Sequence, residues 1–179
     1  MSNRIEGEYT FNSGRNGFNV GNTYTNRNLF GGAEHLEIKA KYGIFFDANG
    51  DGNVFDRIFS RDLQLGANLV IPKLLVPFNI PSMGRNGIPR TTISSSFQLF
   101  DQRQAFSSRV FINSIIYDWV ETKTKLHSFT PINIEFRKGK LDPVFRDSLI
   151  QRGFELYVRT NDRRFFNLGS QYAFTLNAI

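Results

Sequence analysis

The chain has 179 residues, 19 of them Phe and none of them Cys, with a net charge of +6 and a mean hydropathy of −0.31. That length suits one domain, the missing cysteine excludes a disulfide scaffold and thiolate metal sites, and no apolar run approaches the roughly eighteen residues of a membrane-spanning helix. A strand route into a membrane stays open, because alternating strands hide their hydrophobicity from any average.

In chain order, turn-rich punctuation separates eight predicted strands. The first, Arg4 to Phe11, sets Ile5, Tyr9 and Phe11 opposite Glu6, Glu8 and Thr10 before "NSGRNG" turns the chain. The second runs from Phe18 to Asn26, and "RNLFGGAEH" follows, with Gly31 and Gly32 free to take positive φ. In the third, Leu36, Ile38, Ala40, Tyr42, Ile44 and Phe46 alternate with Glu37, Lys39 and Lys41, a period of two. Its eleven residues exceed the usual strand of a soluble domain and match what a tilted strand needs to cross a bilayer.

The fourth strand sets Leu63, Leu65, Ala67, Leu69 and Ile71 against Asp62, Gln64, Gly66 and Asn68. A connection with four prolines, "PKLLVPFNIPSMGRNGIP", then interrupts the pattern. The fifth strand, Thr91 to Phe100, is again alternating, whereas the sixth, Ser107 to Trp119, is apolar on both faces. The seventh sets Ile132, Ile134 and Phe136 opposite Asn133, Glu135 and Arg137. In the longest connection, Lys138 to Phe166, "LDPVFRDSLIQRG" predicts a short helix capped by Asp142, opened by Pro143 and stopped by Gly153. The eighth strand, Ser170 to Ala178, turns Tyr172, Phe174 and Leu176 to one side.

The pattern predicts an all-β, antiparallel fold of consecutive strands. Aromatics near strand ends (Tyr24, Phe46, Phe59, Phe100, Tyr117, Trp119, Phe129) suit interfacial girdles, with packing in a core as the competing reading. Chemistry-bearing residues are sparse. "DANGDGNVFD" places Asp47, Asn49 and Asp51 at calcium-loop positions, but Ile58 stands where a bidentate Glu should close the cage, so a polar hairpin loop is the stronger reading. The only histidines are His35 and His127, each in or beside a predicted turn, and no nucleophile or base pairs with them in the pattern. Catalytic groups and cofactors are therefore not expected. The basic residues are scattered, and "RTNDRRFF" at 159–166 is the nearest approach to aromatics interleaved with cations, so a nucleic-acid partner is not expected either.

Taken together, "NTYTNRNLFGGAEHLEIKAKYG", "LVIPKLLVPF", "IPRTTISSSFQLFDQR" and "TPINIEFRKGKLDPVFRDSL" resemble the outer-membrane barrel of the BamA/TamA assembly family, in its TamA-like lipoprotein branch. The resemblance implies a partial transmembrane β-barrel, the first eight strands of about sixteen, in the bacterial outer membrane. Leu36, Ile38, Ala40, Tyr42, Leu63, Leu65, Leu69, Ile132, Ile134 and Phe136 then face lipid, and Glu37, Lys39 and Lys41 face a wet lumen. The turns at 27–35, 72–89 and 120–129 become periplasmic, and the loops at 12–17, 47–58, 101–106 and 138–166 extracellular.

The implied activity is insertion of proteins at the outer membrane, without catalysis, metal or cofactor. Its implied partners are outer-membrane lipid and lipopolysaccharide, unfolded outer-membrane clients and periplasm-spanning accessory proteins. The strand Ile5, Glu6, Gly7, Glu8, Tyr9, Thr10, Phe11 takes the role of a lateral gate on which a client strand adds. Gly7 fits a loosened seam or a plain bulge. The family's periplasmic POTRA repeats and its "VRGF"-type loop are not in this sequence, and "QRGF" at 151–154 lies in the wrong loop to replace the latter. Two other architectures share the pattern: a free-standing eight-stranded membrane barrel, and a soluble lipid-binding barrel that places Leu36, Ile38 and Ala40 inside.

Overall fold

The computed structural model describes residues 1–12, 15–47, 57–76 and 86–177. Eight strands run through it: β1 (Ser2–Asn12), β2 (Arg15–Asn26), β3 (His35–Asp47), β4 (Ile58–Ile71), β5 (Arg90–Gln102), β6 (Phe106–Thr122), β7 (Lys125–Leu141) and β8 (Arg164–Leu176). Each pairs antiparallel with its neighbours in sequence, giving one sheet in the order β1 to β8. Among the described residues β1 pairs only with β2, and β8 only with β7, so the sheet is open.

Every predicted strand is present, and each is longer than its alternating stretch. Polar residues at the ends keep pairing: Asn12 lies opposite Arg15, so strand replaces most of the loop predicted at 12–17. The turn predicted at 120–129 shrinks to Lys123 and Thr124, because β6 and β7 run 17 residues each. Pro131 lies within β7 at register shifts toward both neighbours, between Ile115 and Tyr117 of β6 and between Thr130 and Asn133 of β7. A bulge leaves a residue out of the ladder, which suits one without an N–H. Gly7 faces Val20 in unbroken register, which overturns the bulge reading there.

The link from β7 to β8 holds two helices rather than one, α1 (Pro143–Gln151) and α2 (Glu155–Asn161). The first follows its signals: Asp142 Oδ1 accepts from the amides of Val144 at 3.0 Å and Phe145 at 3.4 Å, and Gly153 ends the segment at φ +82°. The second has no side-chain cap, so nothing in its sequence announced it. It returns the chain toward β7, where the Asn161 carbonyl presses against the Cα of Gly139 in a space that would not admit a Cβ.

Register carries the alternation across the sheet. Ile38 neighbours Tyr24 and Ala67, and Phe136 neighbours Phe111 and Phe166, all on one face. The opposite face is concave, for it bounds a cavity of about 530 Å³ lined by Glu6, Thr23, Lys39, Gln64, Gln98 and Ile112 from β1 to β6. The two-sided apolarity of β6 resolves accordingly, with Phe111 and Ile115 outside and Val110 and Ile112 inside. Phe100, assigned above to a girdle, points inward and lies 6.4 Å from Phe106.

Candidate functional site

A soluble domain of this size buries most of its large apolar side chains. Here the buried apolar residues among those described are Ile71, Ala105 and Leu141. Each strand instead leaves large apolar side chains exposed on the convex face, for example Ile5, Phe18, Ile38, Leu65, Ile93, Phe111, Phe136 and Phe166 from β1 to β8 in turn. An apolar surface continuous over eight strands is far larger than the patches that soluble monomers carry. The ten residues that the sequence assigned to one face (Leu36, Ile38, Ala40, Tyr42, Leu63, Leu65, Leu69, Ile132, Ile134, Phe136) share this convex face by register.

The concave face is polar and internally paired. Lys39 meets Glu37 at 2.9 Å, Arg137 meets Glu135 at 3.0 Å, and Glu8 of β1 accepts from Asn19 of β2 at 3.3 Å and lies 3.8 Å from Lys41 of β3. Asp62 accepts from Gln64 and from Gln98, at 2.6 and 3.3 Å. Such pairs are exposed, and each contributes a fraction of a kcal/mol at most. Their collective effect is a wettable wall. At one end the last turn of α2 and the link after it lean over this wall, and Thr160, Asn161 and Arg163 line a second cavity of about 380 Å³ with Phe106, Ser108 and Glu135.

At the other end, three anchors that alternation did not reveal hold the turns. Thr91, 1% exposed, accepts from the Leu75 amide at 2.9 Å and donates to the Lys73 carbonyl at 2.8 Å, while the Tyr117 hydroxyl donates to the Leu75 carbonyl at 3.0 Å. These bonds pin the start of the proline-rich link to β5 and β6. Thr91→Val removes both bonds from the part-buried Leu75 amide and Lys73 carbonyl and is expected to cost about 0.5–1.5 kcal/mol, whereas Thr91→Ser keeps both bonds. Amide exchange at Leu75 checks it, faster in the first variant and unchanged in the second.

In the link 27–34, Glu34 Oε2 accepts from the amides of Phe30 and Gly32 at 3.1 and 3.0 Å, with Gly31 at φ +87° and Ala33 at φ +63°. The Glu34 carboxyl is held below its ordinary value, chiefly by its own backbone amide, against an opposing contribution from burial, with the Phe30 and Gly32 amides and the Lys73 charge adding to the depression. A depressed carboxylate contributes stability above its unfolded pKa and loses it as pH falls through the lower folded value. The Phe30 and Gly32 amides are thus expected to stay protected from exchange from neutral pH down past the ordinary carboxylate range, and to open below it. Glu34→Ala should remove the protection at every pH.

The third anchor is His127, which lies in a strand and not in a turn. Its ring stacks on Trp119 at 4.9 Å and 4°, Nδ1 lies 2.6 Å from the Tyr172 hydroxyl, and Nε2 lies 3.0 Å from Glu121 Oε2. The arrangement ties β6, β7 and β8 together. His35 starts β3 opposite Val70, far along the sheet from it. Of the calcium-like set, Asp47 ends β3, while Asn49 and Asp51 lie outside the described residues. Among the described residues no cluster of His, Asp or Glu could hold a metal ion.

The predicted gate strand, Ile5 to Phe11, is the free edge β1. Ile5, Tyr9 and Phe11 are exposed on its convex side and Glu6 and Glu8 on its concave side, and a Cβ at Gly7 would meet open space. No family model, no curated protein and no solved structure matches the chain.

Proposed function

We propose that this sheet is a wall of a bacterial outer-membrane β-barrel of the assembly type, and that its first strand serves as the template on which client strands add. The reading is carried by one observation: the apolar side chains lie exposed on the convex face of all eight strands while the polar pairs line the concave face. Water rejects that arrangement and a bilayer stabilises it. A strand of 13 residues such as β3 reaches about 40 Å and, tilted by about 45°, spans about 28 Å, close to a hydrocarbon core. A soluble barrel enclosing an apolar ligand would need the reverse facing, with Leu36, Ile38 and Ala40 inside.

Templating rests on the free edge of β1. A strand bonded on one side alone presents a row of amides and carbonyls that hydrocarbon cannot satisfy, and an incoming extended segment completes them. Clients are then unfolded outer-membrane chains, and neither catalysis nor a cofactor enters the process. Photo-crosslinkers at Glu6 and Glu8 in the membrane-inserted protein should capture client chains during their assembly, while the same group at Gln64 of the interior strand β4 should not. Equal capture from both strands would sink the template role.

The strand count also fits a free-standing eight-stranded barrel. That alternative requires β1 and β8 to pair, and they belong to opposite edges of this sheet.

A further inference from the structure

On the convex face, the register sets Arg109 of β6 opposite Lys138 of β7, and Lys138 opposite Arg164 of β8, with Lys140 next along the same face of β7. Like charges directly opposite destabilise a sheet unless something offsets them. On the concave face each of Arg4, Lys39, Lys41 and Arg137 has a carboxylate within 3.8 Å. Among the described residues, Arg109, Lys138, Lys140 and Arg164 have no such partner, and Arg109, Lys140 and Arg164 are exposed. Asp101, across from Ser107 and so diagonal to Arg109, is the nearest acid by register and forms no ion pair with them.

One step along the same face lies an unbroken row of rings, Phe97, Phe111, Phe136 and Phe166, each opposite the next. A cation triplet bordering an aromatic row has the polarity profile of a lipid molecule, charge above and hydrocarbon below. A soluble polyanion would match the cations and leave the rings without a partner.

We propose that Arg109, Lys138 and Arg164 form a binding site for the phosphate groups of a membrane lipid whose acyl chains pass down across the Phe97–Phe166 row. The phosphate oxygens bridge the three cations and remove their mutual repulsion, and Lys140 adds a fourth charge on the water side. The inference rests on the membrane-wall reading above and names the lipid class that this part of the wall prefers.

The test uses the full chain in phosphatidylcholine vesicles, where this face is the same in a monomer and in an edge-paired dimer. Association of spin-labelled phosphatidic acid is compared with that of spin-labelled phosphatidylcholine for the wild type, for R109Q/K138Q/R164Q, and for the charge-matched concave variant K39Q/K41Q/R137Q. At about fivefold per basic residue, the convex triple should weaken phosphatidic acid association by about a hundredfold, and the concave triple should leave it unchanged. Added inorganic phosphate should not displace the lipid; displacement at low millimolar concentration would make this a free-phosphate site and overturn the lipid assignment. Equal loss in both triples would overturn the site as well. Protease protection of the strands separates the two layers of the argument: a protected wild type without phosphatidic acid preference overturns this inference alone, and an unprotected one overturns the wall reading and the site with it.

Discussion

Ile38→Arg is expected to lower the stability of the membrane-inserted protein by about 2–4 kcal/mol, and Lys39→Leu, one residue along, by far less. The two positions are adjacent in β3 and differ in facing. Ile38 stands on the convex side between Tyr24 and Ala67 and is 43% exposed without a bilayer around it. Lys39 stands on the concave side, where it meets Glu37 at 2.9 Å. An Arg at position 38 must either leave its charge in hydrocarbon or drag water and headgroups toward it, and both are costly. Removing Lys39 forfeits one exposed ion pair, worth a fraction of a kcal/mol. Denaturant titration in liposomes reads both variants directly. Equal costs at the two positions would show that the convex face is not the one in lipid.

Refolded by itself into detergent micelles, the chain is expected to form edge-paired dimers or larger assemblies and not a closed monomer. The edges β1 and β8 each carry 11 or more residues, and neither pairs with the other. In an apolar solvent each unsatisfied backbone group costs several kcal/mol, so free edges of that length cannot persist. Closing eight strands on themselves demands a tighter curvature than a wider ring, and it demands that β1 and β8 meet at a suitable shear. Pairing with a second copy meets the same need without that change. Sizing combined with heat-modifiable gel mobility decides between these outcomes. A monodisperse, protease-resistant monomer would establish the free-standing eight-stranded barrel in place of the template reading.

The alternation that marks Leu36 to Phe46 is legible because a period of two survives any tertiary context in which the two faces meet different solvents. For that reason the alternating strands and the convex set from Leu36 to Phe136 could be read from the residues alone, while turn residues bounded β6 and the Asp142–Pro143 pair marked the start of α1. What escaped notice belongs to other physics. Pro131 hid the first third of β7, since a bulge shifts parity there and the residues before and after it read as out of phase. Glu34, Thr91 and His127 act through bonds to atoms brought near by the fold, the Lys73 carbonyl and the Tyr172 hydroxyl among them, and no local spacing announces such partners. The Arg109, Lys138 and Arg164 triplet is spread over 56 positions of sequence and becomes a cluster only through strand register.

On the membrane-wall reading proposed above, the link between β7 and β8 would bear on permeability. In a closed ring of which this sheet is a part, the polar wall of Lys39, Asp62, Gln64 and Gln98 would line a conduit for small solutes, and Asn161 and Arg163, leaning over Gly139, would narrow its mouth from one side. A side chain at position 139 would lever that arm away from the wall. If the proposed membrane wall holds, the protein would then exchange tightness for leak, and position 139 would set how freely ions cross although it would touch none of them.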